Sequence, residues 1–144
     1  MDELSRTLLP AAAESGLSLT TLSRHTPVLR RNIADSDSVQ VAARAVRADR
    51  PGHGEYVLMI TQSRVVVTRE TRLLRRIKPF LDAAVLSLVN VTWVPDPRGS
   101  AVDLAFTLGQ TRHRFLINVP DRHQVWRFDA VFGQTFLQPL QLAF

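Results

Sequence analysis

A chain of 144 residues suffices for one ordinary domain and is too short for two comfortable ones. With 45% apolar and 22% charged residues and a mean hydropathy of −0.01, it has enough apolar material for a core, which excludes wholesale disorder. The net charge is +5, and every cation except Lys78 is arginine, a side chain that is always ionised and pairs bidentately with carboxylate or phosphate.

Cysteine is absent, which removes disulfides, thiolate nucleophiles and cysteine-based metal sites. The opening MDELSRTLLP has acids where a secretion signal needs cations, and the apolar runs fall short of the ~20 residues of a membrane span. A cytoplasmic location is expected, with attachment to the inner face of the membrane as a peripheral protein the alternative.

Residues 1–37 form the first unit, an N-terminal helical segment. Leu4, Leu8 and Leu9 line a short helix that Pro10 is expected to end. Leu17, Leu19 and Leu22 mark a second apolar patch. Thr26-Pro27 reads as an N-cap followed by proline at the first helical position, with the helix running on to bury Val28, Leu29 and Ile33.

From residue 38 the period becomes two, and residues 38–144 form the second unit. Val39 and Val41 alternate with polar neighbours in a first strand. DRPGHGE is a loop, and its Gly-x-Gly lacks the third glycine and the helix that a phosphate cradle needs. YVLMIT and RVVVTRE are strands joined by Gln62-Ser63 as a tight hairpin. TRLLRRIK is an irregular basic connection into a short strand.

The run 85–95 alternates with Val89, Val91 and Trp93 on one face. Val102, Leu104, Phe106 and Leu108 mark the next strand, and Phe115, Ile117 and Val119 the last. Asp121 then caps a helix, with Gln124 at the capping-box position. Its apolar stripe is Val125, Phe128, Phe132 and Phe136, and Pro139 is expected to stop it.

About seven antiparallel strands followed by one amphipathic helix make an α+β architecture, a small β-barrel or sandwich whose open end the helix plugs. The run YVLMITQSRVVVTRE resembles the second and third strands of bacterial pleckstrin-homology-like domains, and the similarity extends over roughly residues 38–137. The resemblance implies a non-catalytic adaptor. Phosphoinositide-binding members place cations at the end of the first strand and along the second. Arg44, Arg47 and Arg50 match the first half of that pattern, whereas YVLMIT carries no cation.

No catalytic constellation is present. His25, His53, His113 and His123 are separated beyond metal-ligand spacing and read as lone surface or loop residues, and the acids do not cluster. No enzyme activity and no cofactor are expected. The feature above background is residues 64–78, where Arg64, Arg69, Arg72, Arg75, Arg76 and Lys78 face Glu70 alone, six cations against one acid. With Arg44, Arg47 and Arg50 upstream they form a candidate basic rim.

A protein partner bound through that rim or the N-terminal helices is the expected function. An anionic membrane lipid surface is the alternative, in which Leu73 and Leu74 either insert or belong to the core. Nucleic acid is disfavoured because the basic segment holds no aromatic platform before Phe80. A homodimer through the terminal apolar segments is a further option.

Overall fold

The computed structural model describes residues 2–50 and 54–137. His53, Pro139 and residues 138–144 lie outside that range. Two helices, α1 (Glu3–Glu14) and α2 (Leu19–Leu29), precede seven strands, β1 (Val39–Arg47), β2 (Tyr56–Thr61), β3 (Arg64–Glu70), β4 (Ile77–Ala84), β5 (Val89–Asp96), β6 (Ala101–Leu108) and β7 (Thr111–Asn118). Helix α3 (Arg122–Phe132) follows, and its last turn widens into a π-helical segment over Gly133–Leu137.

The strands form one antiparallel sheet in the order β4-β3-β2-β1-β7-β6-β5. Its concave face encloses a core built from Val41, Ala43 and Ala45 of β1, Leu58 and Ile60 of β2, and Phe106, Phe115 and Ile117. Val125, Phe128 and Phe132 of α3 complete that core, and Phe136 packs against it. Trp93 donates from Nε1 to Asp129 Oδ1 at 2.8 Å, which pins the helix to β5.

The opposite face of β1–β3 is also buried. Leu4, Leu8, Leu22 and Leu29 of the two N-terminal helices pack on Ala42, Val57, Met59 and Val66. This explains why every residue of β2 is buried. A strand covered on both faces reads as a continuous apolar run instead of an alternating one. Strand β1 serves both layers through a bulge between Val39 and Val41, so Val39 faces the helices and Val41 the interior.

Several local expectations are corrected. Pro10 does not end α1, which runs on to Glu14. Leu4, Leu8, Ala11 and Ala12 form one buried face across the proline, and their burial outweighs the ~3 kcal/mol of a mid-helix proline. The helix stops instead before Gly16, whose φ of +73° is left-handed and whose Cα approaches Pro120 closely. Leu9 and Leu19 are exposed.

Thr26-Pro27 does not start a helix either. Ser18 caps α2 by accepting from the Thr21 N–H, and Thr26-Pro27 lies in the last turn, where the Thr26 hydroxyl donates to the Leu22 carbonyl at 2.6 Å. Leu29 and Ile33 are buried as expected and Val28 only partly. In β5, Val91 and Trp93 pack on the core, but a register shift between Val89 and Thr92 leaves Val89 exposed. Asp121 caps α3 by accepting from the His123 and Gln124 N–H groups. Gln124 Oε1, expected to complete the box, is buried without a hydrogen bond.

Asp37 closes the joint between the two layers. Its Oδ2 accepts from the Thr61 hydroxyl at 2.7 Å and the Ser63 hydroxyl at 2.6 Å, and its Oδ1 accepts from the Ser38 N–H at 2.9 Å. The same carboxylate thus ends the helical segment and holds the β2–β3 hairpin.

Candidate functional site: a basic rim at the β3–β4 end

Antiparallel pairing sorts the nine sequence-selected cations. Tyr56 stands opposite Arg69, and Arg69 opposite Lys78, so the end of β1, the start of β2, the end of β3 and the start of β4 share one edge of the sheet. Arg47, Arg50, Arg69, Arg72, Arg75, Arg76 and Lys78 all lie at this edge. Arg64 does not, because it opens β3 at the opposite end, opposite Ala84. There it holds Asp82 at 2.6 Å. Arg44 projects from mid-strand, 3.4 Å from Glu55.

The cations of the rim differ in exposure. Arg47 is half-buried, with Asp49 at 3.2 Å and its guanidinium over the Phe80 ring. Arg72, Arg75, Arg76 and Lys78 are exposed on the β3–β4 loop and the first residues of β4. The loop has a defined shape: the Thr71 N–H donates to the Arg76 carbonyl at 2.8 Å, and the Arg76 N–H donates back to Thr71 Oγ1 at 3.1 Å. Arg75 adopts a left-handed φ of 49°, which turns the chain back toward β4. Leu73 and Leu74 sit at the apex, 96% and 69% exposed, so they are not core residues.

Sequence reasoning missed Arg24. From α2 it reaches across to Glu70, forty-six residues away, as an ion pair and hydrogen bond. The Arg24 guanidinium holds the Glu70 carboxyl below its ordinary range and is itself raised. The only acid of residues 64–78 is therefore engaged by a cation from another element. Arg24, Glu70, Thr71, Arg72 and Arg75 line a shallow groove of about 350 Å³ between α2 and the loop, with Gly54 and Glu55 on its far side. No local pattern in the sequence could have signalled a contact between α2 and β3.

Beneath the rim lies an aromatic mouth. Tyr56, Phe80 and Phe115 meet edge to face, with Tyr56–Phe80 centroids 5.1 Å apart, and His113 packs among Phe80, Phe106 and Phe115. Burial, then the Arg47 charge, pushes the His113 imidazole below its ordinary pKa.

His25 is not a surface residue. It is buried between α2 and β3, with Nδ1 2.7 Å from Thr68 Oγ1, and burial lowers its pKa. Among the described residues no group of three or more His, Asp or Glu side chains gathers as metal ligands, and no helix is long and apolar enough to cross a membrane.

Comparison with solved structures places this architecture. The DH/PH domains of p115-RhoGEF match with a TM-score of 0.50 and 9% identity, over 90% of this chain and 40% of that one. A point mutant of the same protein matches with a TM-score of 0.50 and 11% identity, over 89% and 43%. The fold is pleckstrin-homology-like.

The Ran-binding domain of the nuclear complex component Nup2 from Ashbya gossypii is a further neighbour, with a TM-score of 0.42 and 15% identity over 70% of this chain and 96% of that domain. This pleckstrin-homology-like chain spans less than half of either p115-RhoGEF structure. No family model matches it, and no curated protein matches it in sequence.

Proposed function

We propose that the chain is a non-catalytic docking module and that its basic rim meets an anionic membrane surface peripherally. The observation that carries this reading is the convergence of Arg69, Arg72, Arg75, Arg76 and Lys78 on one edge, where Glu70, the one acid within residues 64–78, is engaged by Arg24. The N-terminal helices support it indirectly. Most of their large apolar side chains pack on β1–β3, and only the separate Leu9 and Leu19 are left exposed.

Each cation near an anionic leaflet contributes about 1 kcal/mol at physiological salt. The four exposed cations at positions 72, 75, 76 and 78 therefore supply on the order of 4 kcal/mol, enough for weak, reversible attachment. Such binding screens away as ionic strength rises.

Flotation with vesicles containing phosphatidylserine tests the proposal. The protein is expected to float with anionic vesicles and not with neutral ones, and Arg72→Glu, Arg75→Glu and Arg76→Glu together should abolish flotation. Equal flotation of the triple variant would defeat the rim as the site. An acidic protein surface would use the same cations. Failure to float, combined with charge-dependent capture of an acidic protein, would transfer the rim to that class of partner.

A further inference from the structure

We infer that Leu73 and Leu74 form an insertion wedge that enters the hydrocarbon boundary of an anionic bilayer while the flanking arginines engage the headgroups. The inference rests on the membrane reading above and adds a site that charge alone does not require. A leucine 96% exposed beside another 69% exposed is an unusual use of apolar surface at a loop apex.

Their setting distinguishes them from other exposed apolar residues. Arg72, Arg75 and Arg76 flank the pair within two residues, and Lys78 follows at the start of β4. Leu86 is 86% exposed as well, but no cation stands within four residues of it on either side. The paired hydrogen bonds between Thr71 and Arg76 hold the apex in shape, so little ordering is needed when it inserts.

The chemistry of the two sets is complementary. Guanidinium groups stay with phosphate and carboxylate headgroups, and two leucines between them reach the acyl boundary. Burying a leucine side chain is worth about tenfold or more in a partition coefficient. The pair should therefore turn a salt-labile contact into one that partly survives salt.

The absence of cysteine makes the test direct, because one substitution creates one labelling position. Leu73→Cys, Leu74→Cys and, as control, Leu86→Cys are labelled with an environment-sensitive fluorophore. They are then mixed with phosphatidylserine-containing vesicles carrying acyl-chain quenchers. Labels at 73 and 74 should shift to the blue and be quenched, and the label at 86 should not respond.

In parallel, Leu73→Ser/Leu74→Ser should weaken vesicle partitioning about tenfold or more at unchanged charge, and Leu86→Ser should leave it unchanged. Full vesicle binding with unquenched labels at 73 and 74 would overturn the wedge and leave rim docking intact. Absence of vesicle binding by the unsubstituted protein would overturn both.

Discussion

The guanidinium carbon of Arg47 stands 5.2 Å from the centroid of the Phe80 ring, joining β1 to β4 across the mouth of the sheet although β2 and β3 separate them in the ladder. Phe80 reaches this position at a register shift between Val67 and Thr68, which turns its ring inward onto Tyr56. The rim thus rests on an aromatic support, and Arg47 belongs to that support more than to the free surface.

A double-mutant cycle on Arg47→Ala and Phe80→Leu should return a coupling of about 0.5–1 kcal/mol, as expected for a partly exposed cation–π pair. Urea unfolding of the four proteins measures it. Additive effects would show that the two side chains do not interact in solution.

Asp37 is the polar counterpart at the opposite end. Asp37→Ala leaves the Thr61 and Ser63 hydroxyls without their carboxylate and should cost roughly 2 kcal/mol. Asp37→Asn keeps an acceptor and should cost less. Chemical denaturation of both variants checks the order, and equal stabilities would contradict the clasp.

Residues 1–37 are proposed as a structural layer of the same cooperative unit. Leu4 and Leu29 are fully buried against the outer face of the sheet. Replacing either with alanine should cost about 2–5 kcal/mol and leave a single unfolding transition. Loss of helix signal ahead of the tryptophan signal would instead mean that the helices separate from the strands.

Acid should loosen the helical layer. Burial holds the His25 imidazole below its ordinary value of 6.5, offset in part by Glu70 and Glu55 and reinforced by Arg24. The unfolded chain therefore takes the proton first as pH falls. His25 stabilises the folded state fully above pH 6.5, and this contribution is lost as pH drops below it. His113 acts in the same direction.

Thermal unfolding between pH 7.5 and 5 should show falling stability, with a shallower slope for His25→Asn. Asp2 adds a lower window. Hydrogen bonds from Ser5 and then Arg30 hold its carboxyl at about 2, so its contribution is present above 3.8 and disappears as pH falls through about 2.

Much of this was legible along the chain because period and register are local. The Gln62-Ser63 hairpin, the alternation in β6 and β7, and the Phe128–Phe132–Phe136 stripe follow from spacing alone, and the structure has them in place. Helix ends were not legible, because Pro10 and Pro27 sit on exposed faces while the residues around them are held by the sheet.

Strand β1 hid its bulge, since small alanines on both faces give no alternation to read. The rim was visible as composition. Its division was not: Arg64 leaves for Asp82 and Arg24 arrives from α2 through pairings of distant residues. Nor could sequence decide whether Leu73 and Leu74 were core or surface, because apolar residues inside a short basic loop fit either.

Membrane docking through the rim is measured by vesicle flotation as a function of phosphatidylserine content and salt, for the unsubstituted protein and the Arg72→Glu/Arg75→Glu/Arg76→Glu variant. Binding should rise with anionic lipid, weaken with salt and vanish in the variant. Binding that ignores lipid charge, or that survives reversal of all three arginines, would contradict docking through the rim.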